Sequence, residues 1–181
     1  MKDWHPDFGP CYTPMEMLDK GIFEGIYTSA IEGIPGKYKK HKNVLPRGSK
    51  PDISINQFKV KSRLSLAQWK KNGWIMTDKL GWWEWFLNYY SGRRLGAEDE
   101  KQIKRWKSFV ARHQGAITKS GKLKDLKARV KQRQGLLQWG WDSTVPYSLE
   151  EAQKNAKRIA KSAGAKVTTV SKESLPPSLS W

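Results

Sequence analysis

The run Leu80-Gly81-Trp82-Trp83-Glu84-Trp85-Phe86-Leu87-Asn88-Tyr89-Tyr90 constrains this chain more than any other feature. It is too short to span a membrane, which takes roughly 18 apolar residues. It is apolar nearly all round, so as a helix it belongs at the centre of a core rather than on a surface. Each fully buried aromatic removes roughly 150–250 Å² from water, worth about 4–6 kcal/mol as an upper bound. The expectation is a mainly α fold: a compact helical domain packed around this Trp-rich helix. Thr77 or Asp78 opens the helix and Ser91-Gly92 ends it. Trp82, Trp83, Trp85 and Trp106 carry the spacing of buried faces. Tyr89 and Tyr90 are open between core and surface contact.

Other segments supply the surroundings. Thr13-Pro14-Met15-Glu16 reads as a capping box with proline at the first helical position. Residues 33 to 51 are rich in Gly, Pro and Lys and read as a basic loop, mobile or ordered by a partner. Ile53, Ile55, Phe58 and Val60 alternate as a short strand would. Ser65 to Gly73 reads as a short helix. Ala97 to about Ala116 reads as a helix, with Glu98, Asp99 and Glu100 favouring its N-terminus. Its Ile103, Trp106, Phe109, Val110 and His113 recur every three to four residues. A further helix is expected from about Leu123 to Trp139, its inner face marked by Leu123, Leu126, Val130, Gln134 and Leu137. Ser148-Leu149-Glu150-Glu151 opens another that ends at Gly164. Its thin stripe of Ala152, Ala156, Ile159 and Ala160 suggests a lightly packed helix. Lys166 to Val170 suits an edge strand, and Ser174 to Trp181 a tail. Residues 1–142 are thus expected to form the helical domain, and 143–181 a small C-terminal α(/β) appendage.

The 181 residues suit one domain, or one domain with a tail. Met1 to Pro6 lacks the apolar stretch of a secretory signal. Cys11 is the one cysteine, so an internal disulfide and a thiolate zinc site are excluded. An intracellular, reducing compartment is expected.

The formal net charge is +17, and it is concentrated. Residues 35–71 hold 11 Lys or Arg against Asp52. Residues 93–134 hold 14 against Glu98, Asp99, Glu100 and Asp125. Each block is +10, and the remainder is −3. Residues 1–34 alone carry −4. Blocks of one sign make fields, and a field of this sign attracts phosphates.

Three constellations follow. Arg93, Arg94, Lys104, Arg105, Arg112, Arg129 and Arg133 flank Trp106 and the Tyr89-Tyr90 pair. Cations neutralise phosphates and release counterions, and aromatic faces stack on unpaired bases. Gly92-Arg93-Arg94 reads either as a phosphate clamp or as arginines that pair with helix carbonyls and nearby acids. Lys37, Lys39, Lys40 and Lys42, around Tyr38 and His41, suit a groove, a nucleic-acid backbone, an anionic membrane surface, or plain solvation. Nucleic acid, DNA or RNA, is the expected partner, with an acidic protein as the alternative.

Catalytic signals are poor. His5, His41 and His113 lack metal-binding spacing, and no phosphate-binding glycine motif is present. His113 lies on an apolar helix face, where packing is the plainer role. Glu84, Asp99, Asp125 and Asp142 are the acids a metal-dependent nuclease would use, but they share no motif. No catalytic residue, metal or cofactor is assigned.

One resemblance extends this reading. It rests on Leu18-Asp19-Lys20-Gly21-Ile22-Phe23-Glu24-Gly25, on Trp69 to Trp74, and on Gly81-Trp82-Trp83-Glu84-Trp85-Phe86. It continues through Tyr89-Tyr90-Ser91-Gly92-Arg93-Arg94, Gln102-Ile103-Lys104-Arg105-Trp106, and Arg133-Gln134-Gly135-Leu136-Leu137-Gln138-Trp139. The stretch from Met17 to Asp142 resembles a family of small proteins of tailed bacteriophages, with relatives in bacteria, fungi and plants and no established activity. The resemblance implies a phage source, and so the host cytoplasm or the virion. It carries over no site residue.

Overall fold

Thr13 opens the first helix in the way its sequence predicts. In the computed structural model, which describes residues 2–61 and 78–168, the Thr13 hydroxyl accepts from the Glu16 N–H at 3.2 Å. Glu16 Oε1 in turn accepts from the Thr13 N–H at 3.0 Å. Helix α1, Pro14–Asp19, then buries Met17 and Leu18. A short helix, α2 (Gly36–Lys39), follows within the basic loop.

The Trp-rich run forms α3, Trp82–Tyr90. Trp82, Trp83, Trp85, Phe86, Leu87 and Tyr89 are all buried. The helix starts later than Asp78 because that carboxylate is held by Arg93, and Gly81 turns the chain at φ +87°. An L side chain is strained at that angle. Helix α4, Ala97–Lys119, buries Ile103, Trp106, Val110, Gln114 and Ile117 along one stripe.

The indole N–H groups bind this core together. Trp85 donates to Asp99 Oδ1 at 2.8 Å, Trp83 to Thr28 Oγ1 at 3.0 Å, and Trp106 to the Trp139 carbonyl at 2.7 Å. Buried Trp and its polar handle are both satisfied by such pairs. The structure is mainly helical, around a buried Trp-rich cluster.

Four local expectations are corrected. The helix expected from Leu123 is α5, Val130–Gln138, and it starts seven residues later. Asp125 Oδ1 accepts from the Lys127 N–H, turns close at Asp125 and Ala128, and Arg129 sits in the left-handed region at φ +51°. These bonds replace a helical ladder, so Leu126 faces solvent at 48% exposure. Ile53–Ile55 is a 3₁₀ turn rather than a strand, because the Asp52 side chain accepts from the Ser54 N–H. The basic loop needs no partner to be anchored: Tyr38 is buried, and His41 Nε2 lies 2.6 Å from Asp19 Oδ1. Helix α6, Leu149–Ser162, is tightly packed, with Ala152, Ala156, Ile159 and Ala160 all buried.

The two short strands close the N-terminal segment onto the end of α6. β1 (Asp3–Trp4) pairs in parallel with β2 (Lys166–Val167), in register Asp3 to Lys166. The helix expected at Ser65–Gly73, the Thr77 cap, the end of the edge strand and the tail from Ser174 lie outside the described residues. No helix among the described residues is long and apolar enough to cross a membrane.

Candidate nucleic-acid interface

The predicted cations divide into those spent inside the fold and those left on its surface. Arg93 forms a two-pronged pair with the buried Asp78, one arm at 2.8 Å, and so bridges the two ends of α3. That pair, first among its surroundings, raises the Arg93 pKa. Arg94 donates to the Asp3 and Tyr89 carbonyls at 2.7 and 2.6 Å. Its guanidinium stacks on the Tyr89 ring, 3.7 Å from the centroid. Of the two readings of Gly92-Arg93-Arg94, the geometry is that of internal pairing.

Tyr89 is buried, its hydroxyl accepting from the His5 N–H at 2.9 Å. Tyr90 is half-buried, its hydroxyl 2.6 Å from Ser162 Oγ. The Tyr89 ring, buried and covered by Arg94, offers no free face for a base to stack on.

Arg133 is the main correction among the arginines. It has no exposed surface. Nη1 donates to Ser143 Oγ at 2.9 Å, Nε to the Ala128 carbonyl at 2.7 Å, and Nη2 to the carbonyls of Lys122 and Leu123. The 122–128 segment leaves carbonyls without ladder partners, and Arg133 supplies donors to them. A guanidinium so engaged cannot reach a phosphate.

Arg105 is half-buried and has its own internal partner, and burial lowers its pKa. Lys104, Arg112 and Arg129 are exposed. So are Lys37, Lys40 and Lys42, while Lys39 is half-buried.

The surviving cations belong to a larger surface. Residues 101–131 hold 11 Lys or Arg and one acid, Asp125. On α4 the exposed positions Lys101, Lys104, Ser108, Arg112 and Lys119 follow one another at helical spacing. The exposed Lys122, Lys124, Lys127, Arg129 and Lys131 continue the charge through the turns into α5. Among the described residues, none of these nine cations has a carboxylate partner within ion-pair distance. The pairs that do form lie elsewhere, at Lys107–Asp7 (3.0 Å), Arg158–Glu16 (4.0 Å) and His5–Glu100 (3.3 Å). They join Asp7, Glu16 and Glu100 to Lys107, Arg158 and His5, none of which belongs to this stripe.

The basic surface has a polar seam that the charge count missed. Arg129 Nη1 donates to Gln132 Oε1 at 2.9 Å, Gln132 Nε2 lies 3.3 Å from His113 Nδ1, and His113 Nε2 lies 3.5 Å from Arg112 Nη2. The Arg129–Gln132 spacing of three was the one signal in the sequence. The contact from His113 to Gln132 is tertiary.

The two basic blocks meet at a cleft of about 210 Å³. Phe58 comes from the first block and Leu126 from the second, with Tyr12, Lys20, Trp141 and Asp142 completing the walls. Burial opposes ionisation of Asp142. Bonds from the Thr144 N–H and hydroxyl, 2.9 and 2.8 Å, and from Tyr12 outweigh it and hold the carboxyl below its usual range. Lys20 Nζ lies 4.6 Å from the Tyr12 ring centroid. Among the described residues no three His, Cys, Asp or Glu side chains converge as a metal site. Asp99 is committed to Trp85 and to the Leu95 N–H.

No protein-family profile, curated protein sequence or solved structure matches the chain.

Proposed function

We propose that this protein binds nucleic acid, mainly through phosphate contacts and with low sequence specificity. The observation that carries the reading is the exposed row of cations along α4, the 120–129 turns and α5, without carboxylate partners among the described residues. A surface of one sign costs free energy through self-repulsion, and a polyanion relieves it while releasing counterions. The buried aromatics take no part, so base stacking contributes little. The resemblance of residues 17–142 to phage proteins supports a role in an infected host cell or in the virion.

The test is binding of fluorescent duplex and single-stranded DNA and RNA across a salt series. Log affinity for duplex DNA falls with log salt by about 0.9 per phosphate neutralised. Replacing Lys104, Arg112, Lys124, Lys127 and Arg129 together by Gln flattens that slope, with helicity retained by circular dichroism. Wild-type protein that shows no salt-dependent binding to any of these probes defeats the reading. A partner that is co-purified and survives nuclease treatment turns the surface over to an acidic protein instead.

A further inference from the structure

We infer that Arg112 and His113 form a seat for one backbone phosphate oxygen, and that filling it makes binding proton-linked. This rests on the nucleic-acid reading above and names two donors within it.

The His113 ring is held in place from behind. It packs on Phe109 at 4.3 Å, Phe109 stacks on Trp139 at 4.8 Å, and Trp139 stacks on Trp82 at 5.0 Å. The column runs from the buried core to the basic surface. At its outer end the imidazole is edged by Arg112 from its own helix and by Gln132 from α5, which is held by Arg129. Arg112 is the charged group that meets the ring directly, and Arg129 faces it across Gln132.

The chain Arg112–His113–Gln132–Arg129 cannot satisfy itself. Arginine only donates, so both ends are donors. A neutral imidazole offers one donor and one acceptor, and so does an amide used on two sides. Starting from Arg129, Gln132 accepts through Oε1 and donates to His113 Nδ1. His113 then carries its proton on Nε2, which meets an Arg112 N–H. Starting from Arg112, the other tautomer and the flipped amide move the clash to Gln132 and Arg129. One donor-to-donor junction remains in either case. In the arrangement present it falls at Arg112 and His113, the longest contact of the three at 3.5 Å.

An acceptor placed at that junction receives both N–H groups. A phosphodiester oxygen brings lone pairs, no proton and a negative charge. The charge also answers the other cost at this site. Burial, and then the Arg112 charge, hold the His113 pKa below its usual value, so the ring is neutral in the free protein near neutral pH. A phosphate beside it favours the imidazolium. Binding then takes up a proton, and affinity rises as pH falls.

The experiment measures affinity of the full chain for a short duplex DNA at about pH 6 and about pH 8, near the range where histidine titrates, at fixed salt. Nitrogen-detected NMR follows the His113 ring as inorganic phosphate, and separately the duplex, is added. Wild type is expected to bind more tightly at the lower pH, with a ceiling of about tenfold for each unit by which phosphate raises the His113 pKa. His113→Gln and Arg112→Gln are expected to lose that pH dependence while keeping most of the remaining salt slope. If the duplex binds but neither variant changes the pH profile and the His113 signal does not move, the seat is overturned and the broader reading stands. If neither the duplex nor the single-stranded DNA and RNA probes bind, the broader reading falls. Inorganic phosphate then decides the seat: an unmoved His113 removes it as well, and an upward shift keeps it as a phosphate seat.

Discussion

The Arg133 guanidinium meets the Ser143 hydroxyl at 2.9 Å, wholly out of solvent, and joins α5 to the segment that leads into α6. Its other donors close onto the carbonyls of Lys122, Leu123 and Ala128. Replacing it by Met keeps length and removes every donor. The Ser143 hydroxyl and the carbonyls of Leu123 and Ala128 lose this donor, at about 1 kcal/mol or more for each that stays dry, while the Lys122 carbonyl keeps the Asp125 N–H. Urea unfolding of Arg133→Met should show a loss of about 3 kcal/mol or more. The salt slope for nucleic acid should not change in the fraction that remains folded, in contrast to the joint replacement of Lys104, Arg112, Lys124, Lys127 and Arg129 by Gln.

Gly9 lies against the backbone of α6. A Cβ built there meets the Ala152 carbonyl oxygen at 1.7 Å and the Ala156 nitrogen at 2.6 Å. Neither atom can swing away as a side chain would. Gly9→Ala should therefore lower stability by about 3 kcal/mol, or prevent folding, through overpacking. Gly115 is the contrasting site. It is inside α4, a Cβ there meets nothing within 4 Å, and its φ is not left-handed. Gly115→Ala should raise stability by about 0.5–1 kcal/mol in a thermal melt.

Asp7 couples stability to acid pH. Burial pushes its carboxyl up, but bonds from Gln153 at 2.9 Å and Lys107 at 3.0 Å outweigh this, and its pKa is lowered. A carboxyl whose folded pKa is depressed favours the folded state above its unfolded pKa, about 3.9. That contribution is lost as pH falls through the folded value. Asp142 acts in the same direction. Stability measured by denaturant should decline below about pH 4, and Asp7→Asn should shallow the decline.

Cys11 should be inert in the native protein. Burial comes first among the causes that push its thiol up to about 12. The thiolate is the reactive form, and its population at neutral pH is therefore very small. Alkylation with iodoacetamide, read by mass spectrometry near pH 8, should be negligible under native conditions and complete in urea. Rapid native labelling would show that the segment around Cys11 opens far more readily than its packing implies.

Several features were legible along the chain because their causes are local. The capping box at Thr13 and the N-cap bond at Ser148 depend on residues three apart, and both helices start where expected. The aromatic run at 82–90 has too little polar surface to be anything but core, and the stripe on α4 follows from its spacing. The mainly helical fold followed from these patterns.

The fate of individual cations was not legible. Periodicity placed Arg133 on the charged side of a helix that was expected to begin at Leu123. One left-handed residue, Arg129, and the Asp125 turns shifted that start, and the segment before it needed donors for its carbonyls. Composition counts Arg93, Arg94, Arg133 and Lys104 alike as positive. Burial against Asp78, Tyr89 and Ser143 decides which of them remain available, and those contacts join residues 5 to 15 positions apart through the fold.

The sequence by itself determined the core and the sign of the surface, because hydrophobic spacing and net charge are properties of the chain. Tertiary structure alone decided which cations face solvent and where His113 sits between two arginines. A hydrogen bond between distant residues depends on how the helices meet, and no local pattern encodes that meeting.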